Sequence, residues 1–315
     1  MAELAVVGSL NQDIRLTVER IPHSGETVSA LGAMRSPGGK GANQAVAAAR
    51  LGLSVTMVGA VGADTAGEQL RARLAAEGVD VSGLAVLTKI DGTPVGTGTA
   101  TILWEQPEST IIIEAGANAA VDEAFVMSRV EQFRDARAVL CQCETPLGAL
   151  AAVAHEARGL KVLNPAPAAA VPPTIRDRFD LLVPNRFELA VLAGAAGAPQ
   201  REEDVLAMVR HLGFPGNVVV TLGSDGCLVV PRDGGPVAVP AIQVTAVDTT
   251  AAGDSFCAAL VGALLSGDQL VSAAQWATRV AAITTTRDGA IDSLPRRADV
   301  NGISARAQGP RPVAG

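Results

Sequence analysis

Seven short runs, almost wholly apolar, recur along this chain: Leu4–Val7, Val55–Gly59, Ala138–Cys141, Lys161–Asn164, Leu181–Pro184, Val218–Leu222 and Cys227–Val230. A strand with one wet face alternates apolar and polar residues, whereas a strand apolar at nearly every position must be covered on both faces. Between these runs lie Ala- and Leu-rich stretches of helical period: Asn43–Leu51, Ala66–Glu77, Glu123–Phe133, Leu147–Arg158, Glu188–Leu192, Glu202–Leu212, Asp254–Ser266 and Leu270–Thr285. Strands that alternate with helices predict an α/β fold, a doubly wound and mostly parallel central sheet flanked by helices.

Two segments break this rhythm. About 14–35 and 89–113, Thr, Val, Gly and Ile alternate with polar residues and show no helical period. Thr97–Leu103 and Ser109–Ile113 read as a hairpin turning through Glu105–Glu108. Together the two insertions predict a small β-sheet lid projecting from a single domain over 1–304. One apolar face of such a sheet needs a cover, which a ligand, a second copy of the chain, or both can supply. The tail, 305–315, is rich in Ala, Arg, Gly and Pro and is expected to be disordered.

With 315 residues the chain can bury a large core without disulfides. Its net charge of -7 and lack of a basic run argue against a nucleic-acid partner. There is no Tyr, and only two Trp and six Phe, so the core must be aliphatic and base-stacking platforms are not expected. Cys141, Cys143, Cys227 and Cys257 fit neither a zinc pattern nor a disulfide framework, which favours buried thiols in a reducing compartment. No apolar run reaches membrane-spanning length, and a strand-like Leu4–Val7 stands where a leader would be, so a cytoplasmic location is expected.

The chemistry concentrates in a few segments. In Asp248–Phe256, Ala251, Ala252 and Gly253 open a helix and are followed by Asp254. Small residues at a helix start leave backbone N–H groups bare, and the dipole adds positive charge, so the terminus can hold an anion such as phosphate. A carboxylate beside that site makes sense as a base for a nucleophile attacking the phosphate. An ordinary Asp in a first helical turn is the alternative. The run Gly38-Gly39-Lys40-Gly41-Ala42-Asn43-Gln44 lets backbone approach a ligand closely, while Lys40 and Asn43 offer donors. It is not a Walker A loop, because Gly41 follows the lysine.

Further candidates sit at strand ends, where open α/β sheets bind ligands. Asn11 and Asp13 follow the first strand and alternate, which aims both at one side; an amide and a carboxylate suit vicinal sugar hydroxyls. Glu144 follows another strand. Asn185 and Glu188 can cap a helix and can also hold hydrated Mg²⁺. Thr221, Gly223, Ser224 and Gly226 form a Gly-rich turn suited to phosphate or ribose. His23, His155 and His211 are scattered in no catalytic pattern, and no GxGxxG follows a strand.

The segments Gly38–Ala48 and Asp248–Phe256 resemble the two signatures of the ribokinase-like (pfkB) sugar kinases. Gly8–Asp13, Ile21–Thr27, Glu114–Val121, Leu163–Ala168 and Thr221–Gly226 add to the resemblance, which is colinear from Gly8 to Pro295. It implies ATP-dependent phosphorylation of the 5-hydroxyl of D-ribose and a homodimer formed through the lid. It places Asn11, Asp13, Gly39, Lys40, Asn43 and Glu144 on the sugar, Asp254 as base, and Ala251, Ala252 and Gly253 as the anion hole. Asn185, Glu188, Thr221, Gly223, Ser224, Gly226 and Gly253 would serve ATP and Mg²⁺. Asp248, Thr250, Thr284, Arg287, Gly289 and Ser293 match positions that hold a monovalent cation, usually K⁺, mostly through backbone carbonyls. Thr278 departs from the family pattern, which has a histidine beside the adenine. Other substrates (deoxyribose, fructose, adenosine, pseudouridine) and an inactive sugar sensor stay open; the vicinal-hydroxyl pair argues against deoxyribose, and Asp254 against a sensor.

Overall fold

The computed structural model describes residues 2–105, 108–301 and 311–313. Its strands are β1 (Leu4–Val7), β2 (Asn11–Thr17), β3 (Gly32–Gly38), β4 (Val55–Gly62), β5 (Leu84–Leu87), β6 (Lys89–Ile90), β7 (Thr93–Pro94), β8 (Gly98–Glu105), β9 (Glu108–Glu114), β10 (Ala138–Cys141), β11 (Leu160–Leu163), β12 (Leu181–Leu182), β13 (Asn217–Thr221), β14 (Cys227–Val230), β15 (Val237–Val239) and β16 (Arg311–Pro312). The helices are α1 (Lys40–Arg50), α2 (Thr65–Ala76), α3 (Glu123–Met127), α4 (Leu147–Glu156), α5 (Pro173–Arg176), α6 (Arg186–Leu192), α7 (Glu202–Leu212), α8 (Ala252–Leu265), α9 (Leu270–Thr285) and α10 (Arg297–Asn301).

A ten-stranded sheet runs in the order β16-β15-β14-β13-β12-β11-β10-β1-β4-β5. It is parallel from β5 to β13 and turns antiparallel at β14, β15 and β16. Alternate residues of its strands face opposite layers. Leu4, Val6, Ala138 and Leu140 pack with the Ala-rich α1, α8 and α9; Ala5, Val7, Val139 and Cys141 pack with α3, α4, α6 and α7. This two-sided cover is why the strands can be apolar throughout. From β1 the chain builds outward to β4 and β5 on one side and later to β10 and beyond on the other. The carboxyl ends of β1 and β10 therefore flank a topological switch point, the crevice where such sheets take ligands.

A second sheet, β3-β2-β8-β9, forms the lid. Its strands begin and end beyond the expected boundaries: Asn11 to Gly38 and Gly98 to Glu114, while 89–94 makes a separate two-stranded ribbon. Asn11 and Asp13, which follow β1, are thus the first and third residues of a lid strand. The hairpin pairs Glu105 with Glu108, and its two central residues lie outside the described ones. Of the tail expected to be disordered, 305–310 and 314–315 fall outside the described residues, and Arg311–Pro312 pairs with β15. Among the described residues no helix is long and apolar enough to cross a membrane. The four cysteines are free, and burial pushes the thiols of Cys143 and Cys227 up to about 12, so neither is a reactive thiolate.

Candidate active site

Two helices made of small residues bring the site together. Ala42, Ala45, Ala258 and Ala259 let α1 and α8 pack closely, and Asn43 and Gln44, in the first turns of α1, reach the first turn of α8. Their N-termini meet there, so both dipoles present positive ends to one place. Asp254, only 6% exposed, lies at this junction. Its Oδ2 accepts a hydrogen bond from Asn43 Nδ2 at 2.9 Å, and its Oδ1 accepts one from Gln44 Nε2 at 3.0 Å.

Glycines make the junction possible. Gly39 has φ 91, a left-handed conformation that favours glycine, and a Cβ there would come within 2.6 Å of the Asn11 amide nitrogen. A Cβ on Gly38 would meet the Asp13 carboxylate at 2.1 Å. Ala251, immediately before α8, also holds a left-handed conformation with φ 59, which is strained for a residue bearing a Cβ. The Ala252 amide reaches the Thr249 carbonyl at a long 3.3 Å. The N–H groups of Gly253 and Asp254, in the first turn, have no carbonyl upstream in the helix to bond.

Around Asp254 the predicted sugar residues converge. Asn11 is 2% and Asp13 9% exposed, both on the buried face of β2. Asn118 Nδ2 donates to Asn11 Oδ1 at 2.8 Å and to the Leu10 carbonyl at 3.1 Å, which fixes the Asn11 amide. Glu144 accepts from the Ser9 hydroxyl and from the Lys40 amide at 3.3 Å. Asp13 is pushed up to about 7 by burial, then by the nearby charges of Glu144 and Asp254, against the pull of Lys40. Burial alone would lower Lys40, but the carboxylates of Asp254, Glu144 and Glu188 hold its ammonium above the usual lysine value. Among the described residues Asn43 Oδ1 is buried and has no partner, although Asn43 Nδ2 is bound to Asp254. An orphaned acceptor in a polar cleft is a place for a ligand hydroxyl.

The nucleotide candidates gather next to this cluster. Asn185 and Glu188 form a full capping box on α6: Asn185 Oδ1 accepts from the Glu188 amide at 2.8 Å, and Glu188 Oε2 from the Asn185 amide at 2.7 Å. Asn185 Nδ2 occupies the other Glu188 oxygen at 2.8 Å. With both oxygens so engaged, the pair fits a hydrated Mg²⁺ held through water better than a directly bound ion. Asn185 bridges to Thr221, and the turn from Gly223 to Gly226 follows. Thr278 is buried and donates its hydroxyl back to the Ala274 carbonyl at 2.8 Å, with Cys227 beside it. It offers a wall rather than the polar group a histidine would give.

Of the third predicted group, Asp248, Thr250 and Gly289 are joined by hydrogen bonds. Asp248 Oδ1 accepts from the Thr250 amide and hydroxyl at 2.8 and 2.6 Å, and its Oδ2 from the Gly289 amide at 3.1 Å. Burial would raise its pKa, but these bonds and the Arg15 guanidinium, 3.8 Å away, hold the carboxylate low. The Ser293 hydroxyl donates to the Ala290 carbonyl at 2.8 Å, and Thr284 is fully buried with its hydroxyl on Ser255 at 2.9 Å. Arg287 directs its side chain away to Asp299 at 3.2 Å. Asp248 is the one carboxylate among the six predicted residues and both of its oxygens are already bound, so a cation held here would rest on backbone carbonyls.

Sequence reasoning missed Ser9, Gln44, Asn118, Gln142 and Asn164. Gln44 stood inside the glycine-rich run, next to Asn43, but an amide gives no sign of its partner until the fold supplies one. Two cavities, of about 370 and 260 Å³, lie away from the cluster, one lined by Leu53, Gly262 and Arg297 and the other by Pro240, Gln275 and Arg279. Neither combines the buried carboxylates and orphaned amide that mark the crevice at β1 and β10.

The fold and sequence are shared with known carbohydrate kinases. The family model described as pfkB family carbohydrate kinase matches residues 1–297. A ribokinase of Schizosaccharomyces pombe is 36% identical, covering 96% of this chain and 98% of its own. One of Haemophilus influenzae is 35% identical, over 93% and 95%. The structure of Arabidopsis thaliana ribokinase complexed with ribose and ATP superposes with a TM-score of 0.86 at 31% identity, covering 95% of this chain and 97% of that one. The matches span the whole α/β body and the lid together, and so the chain belongs to the pfkB family of carbohydrate kinases.

Proposed function

We propose that this chain transfers the γ-phosphoryl group of ATP to the 5-hydroxyl of D-ribose. The observation that carries this reading is the buried Asp254 carboxylate at the start of α8, tied on one oxygen to Asn43, whose own Oδ1 stands unpartnered. Asp254 takes the hydroxyl proton as the sugar oxygen bonds to phosphorus and the bond to the leaving ADP oxygen breaks. The amides before it and Lys40 offset charge on the transferring group. Asn11, Asp13, Gly39, Lys40, Asn43 and Glu144 hold the sugar hydroxyls. Asn185, Glu188 and the turn at Thr221, Gly223, Ser224 and Gly226 hold the nucleotide, Thr278 lining the base. The water shell of Mg²⁺ would rest on Asn185 and Glu188, and K⁺ on Asp248, Thr250, Thr284, Arg287, Gly289 and Ser293. When bound, these ions neutralise phosphate charge and firm the anion hole. Similarity to several ribokinases over nearly full length supports ribose over the other sugars.

The lid supports a dimer in the same reading. Leu31 is 71% and Ile112 60% exposed, and Ile111 and Ile113 are exposed beside it on the edge strand β9. Ile111 and Ile113 share the sheet face of Asp13, Ile112 lies on the other face, and Leu31 precedes the opposite edge strand; a second lid laid along the β9 edge would cover the isoleucines. Such a partner, with the sugar beneath, would exclude water from the reaction.

The test is direct: the protein is mixed with ATP, Mg²⁺, K⁺ and a panel of sugars and nucleosides, and phosphorylated product is identified by mass and NMR. Ribose 5-phosphate should form fastest by kcat/KM. Preference for fructose or a nucleoside would replace the substrate, and ribose binding with no ADP formed would leave only a sensor.

A further inference from the structure

Asp254 is held by more than Asn43. Its Oδ1 receives Gln44 Nε2 at 3.0 Å, and the same Nε2 donates to Asn164 Oδ1 at 3.1 Å. Gln44 Oε1 in turn accepts from Gln142 Nε2 at 2.6 Å. Gln44 and Gln142 are fully buried and Asn164 is nearly so. These residues come from α1, the end of β10 and the end of β11, three elements that meet beneath the crevice.

The polarity of this chain of amides is set from its far end. Asn164 Nδ2 donates to the Val183 carbonyl at 2.8 Å, and a carbonyl can only accept. Asn164 must therefore turn its Oδ1 toward Gln44, which obliges Gln44 to present its NH₂ group there. That NH₂ group then has one hydrogen left, directed at the carboxylate. A flipped Gln44 would set Oε1 against two acceptor oxygens at once, Asn164 Oδ1 and Asp254 Oδ1, in a buried setting where such a clash is costly. Gly8 makes the room: a Cβ there would fall 1.8 Å from Gln142 Oε1.

We infer that Gln44 is a positioning residue for Asp254: the amide relay from Val183 through Asn164, with Gln142 behind Gln44, fixes the carboxylate's rotation so that one lone pair faces the sugar hydroxyl. The inference rests on Asp254 being the base, but not on which sugar is phosphorylated. With Asn43 on Oδ2 and Gln44 on Oδ1, the carboxylate is clamped in one plane. Neither amide carries charge, so the clamp orients the base without the neutralisation that Arg or Lys in the same place would bring. Gln44 does not reach the sugar or ATP in this arrangement, so its loss should leave binding alone.

The test is a double-mutant cycle on Gln44 and Asp254, with kcat, both KM values, ribose binding by calorimetry and Tm measured for each variant. Gln44→Met keeps the volume and removes the donor; the expected loss in kcat is roughly 10- to 100-fold with KM within about twofold, the scale of a misaligned reacting group. In the Asp254→Asn background the same change should alter kcat less than about twofold, because the group it positions is gone. Should Gln44→Met not fold, folded Gln142→Leu tests the relay one step back, with an expected kcat loss of about 3- to 10-fold at unchanged KM. Losses that multiply across the cycle, or unchanged kcat in a folded Gln44→Met or Gln142→Leu, would overturn the inference while leaving the kinase reading intact. Full turnover in Asp254→Asn would overturn both.

Discussion

Asp13 shows how far a single side chain can carry the chemistry of this cleft. Its carboxyl, lifted to about 7 by burial and by Glu144 and Asp254, sits among sugar-binding candidates. A carboxylate accepts hydrogen bonds from hydroxyls better than a carboxylic acid does. Ribose affinity should therefore weaken as pH falls through about 7, and calorimetric titrations from pH 5.5 to 8.5 should show the slope vanish in Asp13→Asn. The stability linkage has the opposite cast. The folded pKa of about 7 exceeds the unfolded 3.8, so the folded state binds the extra proton between these values. Stability of the ligand-free protein should thus decline as pH rises through this window, and Asp13→Asn should raise Tm at pH 8 more than at pH 4. Asn11, Asp13, Lys40, Asn43 and Asp254 were legible because their types and spacings are unusual in plain strands and helices. Gln44 was not, since its partner lies 210 residues away and an amide inside a helix is commonplace.

At the scale of elements, the C-terminal end of α1 does as much positioning as its start. Arg50 forks onto Glu77 through Nε at 2.9 Å and Nη2 at 2.5 Å, while its Nη1 holds the carbonyls of Ile291 and Leu294 at 2.8 and 2.6 Å. These carbonyls flank Ser293, so the helix that presents Lys40 and Asn43 also ties down the loop proposed for the cation. The Arg50 hydrogen bonds come first in holding the Glu77 carboxyl down to about 2, so this support persists until strongly acid pH. Arg50→Met should destabilise the fold by roughly 1–3 kcal/mol in urea melts, because the bonds to two carbonyls and one partner of Glu77 are lost while Arg73 and Arg296 still hold that carboxylate, and should raise the K⁺ concentration needed for half activation. Unchanged melting and K⁺ response would show the tie to be dispensable. Most helices and parallel strands could be read from period and apolar runs; α7, α9, β1, β10 and β14 match to the residue. The edges could not. β5 (Leu-Ala-Val-Leu) at one edge and β15 (Val-Ala-Val) next to the other are apolar throughout but only four and three residues long, too short to stand out, and α3 stops at Met127, followed by a short 3₁₀ segment at Val130–Gln132.

For the whole molecule, the lid is the feature that sequence outlined and only structure could join. Asn11 and Gly38 pair at the mouth of the cleft, and Asn11 pairs with Gly98 on its other side, so one sheet both borders the proposed sugar site and carries its candidates Asn11 and Asp13. The sequence showed two polar-apolar segments but not that β2 would lie between β3 and β8, because strand order is set by contacts far apart in the chain. Arg15, stacked over Trp104 and paired with Asp288 at 2.9 Å, further links the lid to the Asp248 loop. If lids pair between two copies, Ile112→Lys should shift the mass seen by light scattering from two chains to one; a single-chain mass in the unaltered protein would contradict the pairing. The central claim, that the carboxylate opening α8 drives phosphoryl transfer to a bound sugar, is met most directly by Asp254→Asn. Ribose 5-phosphate formation should fall at least ~10²-fold, the scale of a lost general base, with calorimetric ribose affinity changed only about twofold. Turnover close to that of the unaltered protein, with ribose bound as before, would contradict it.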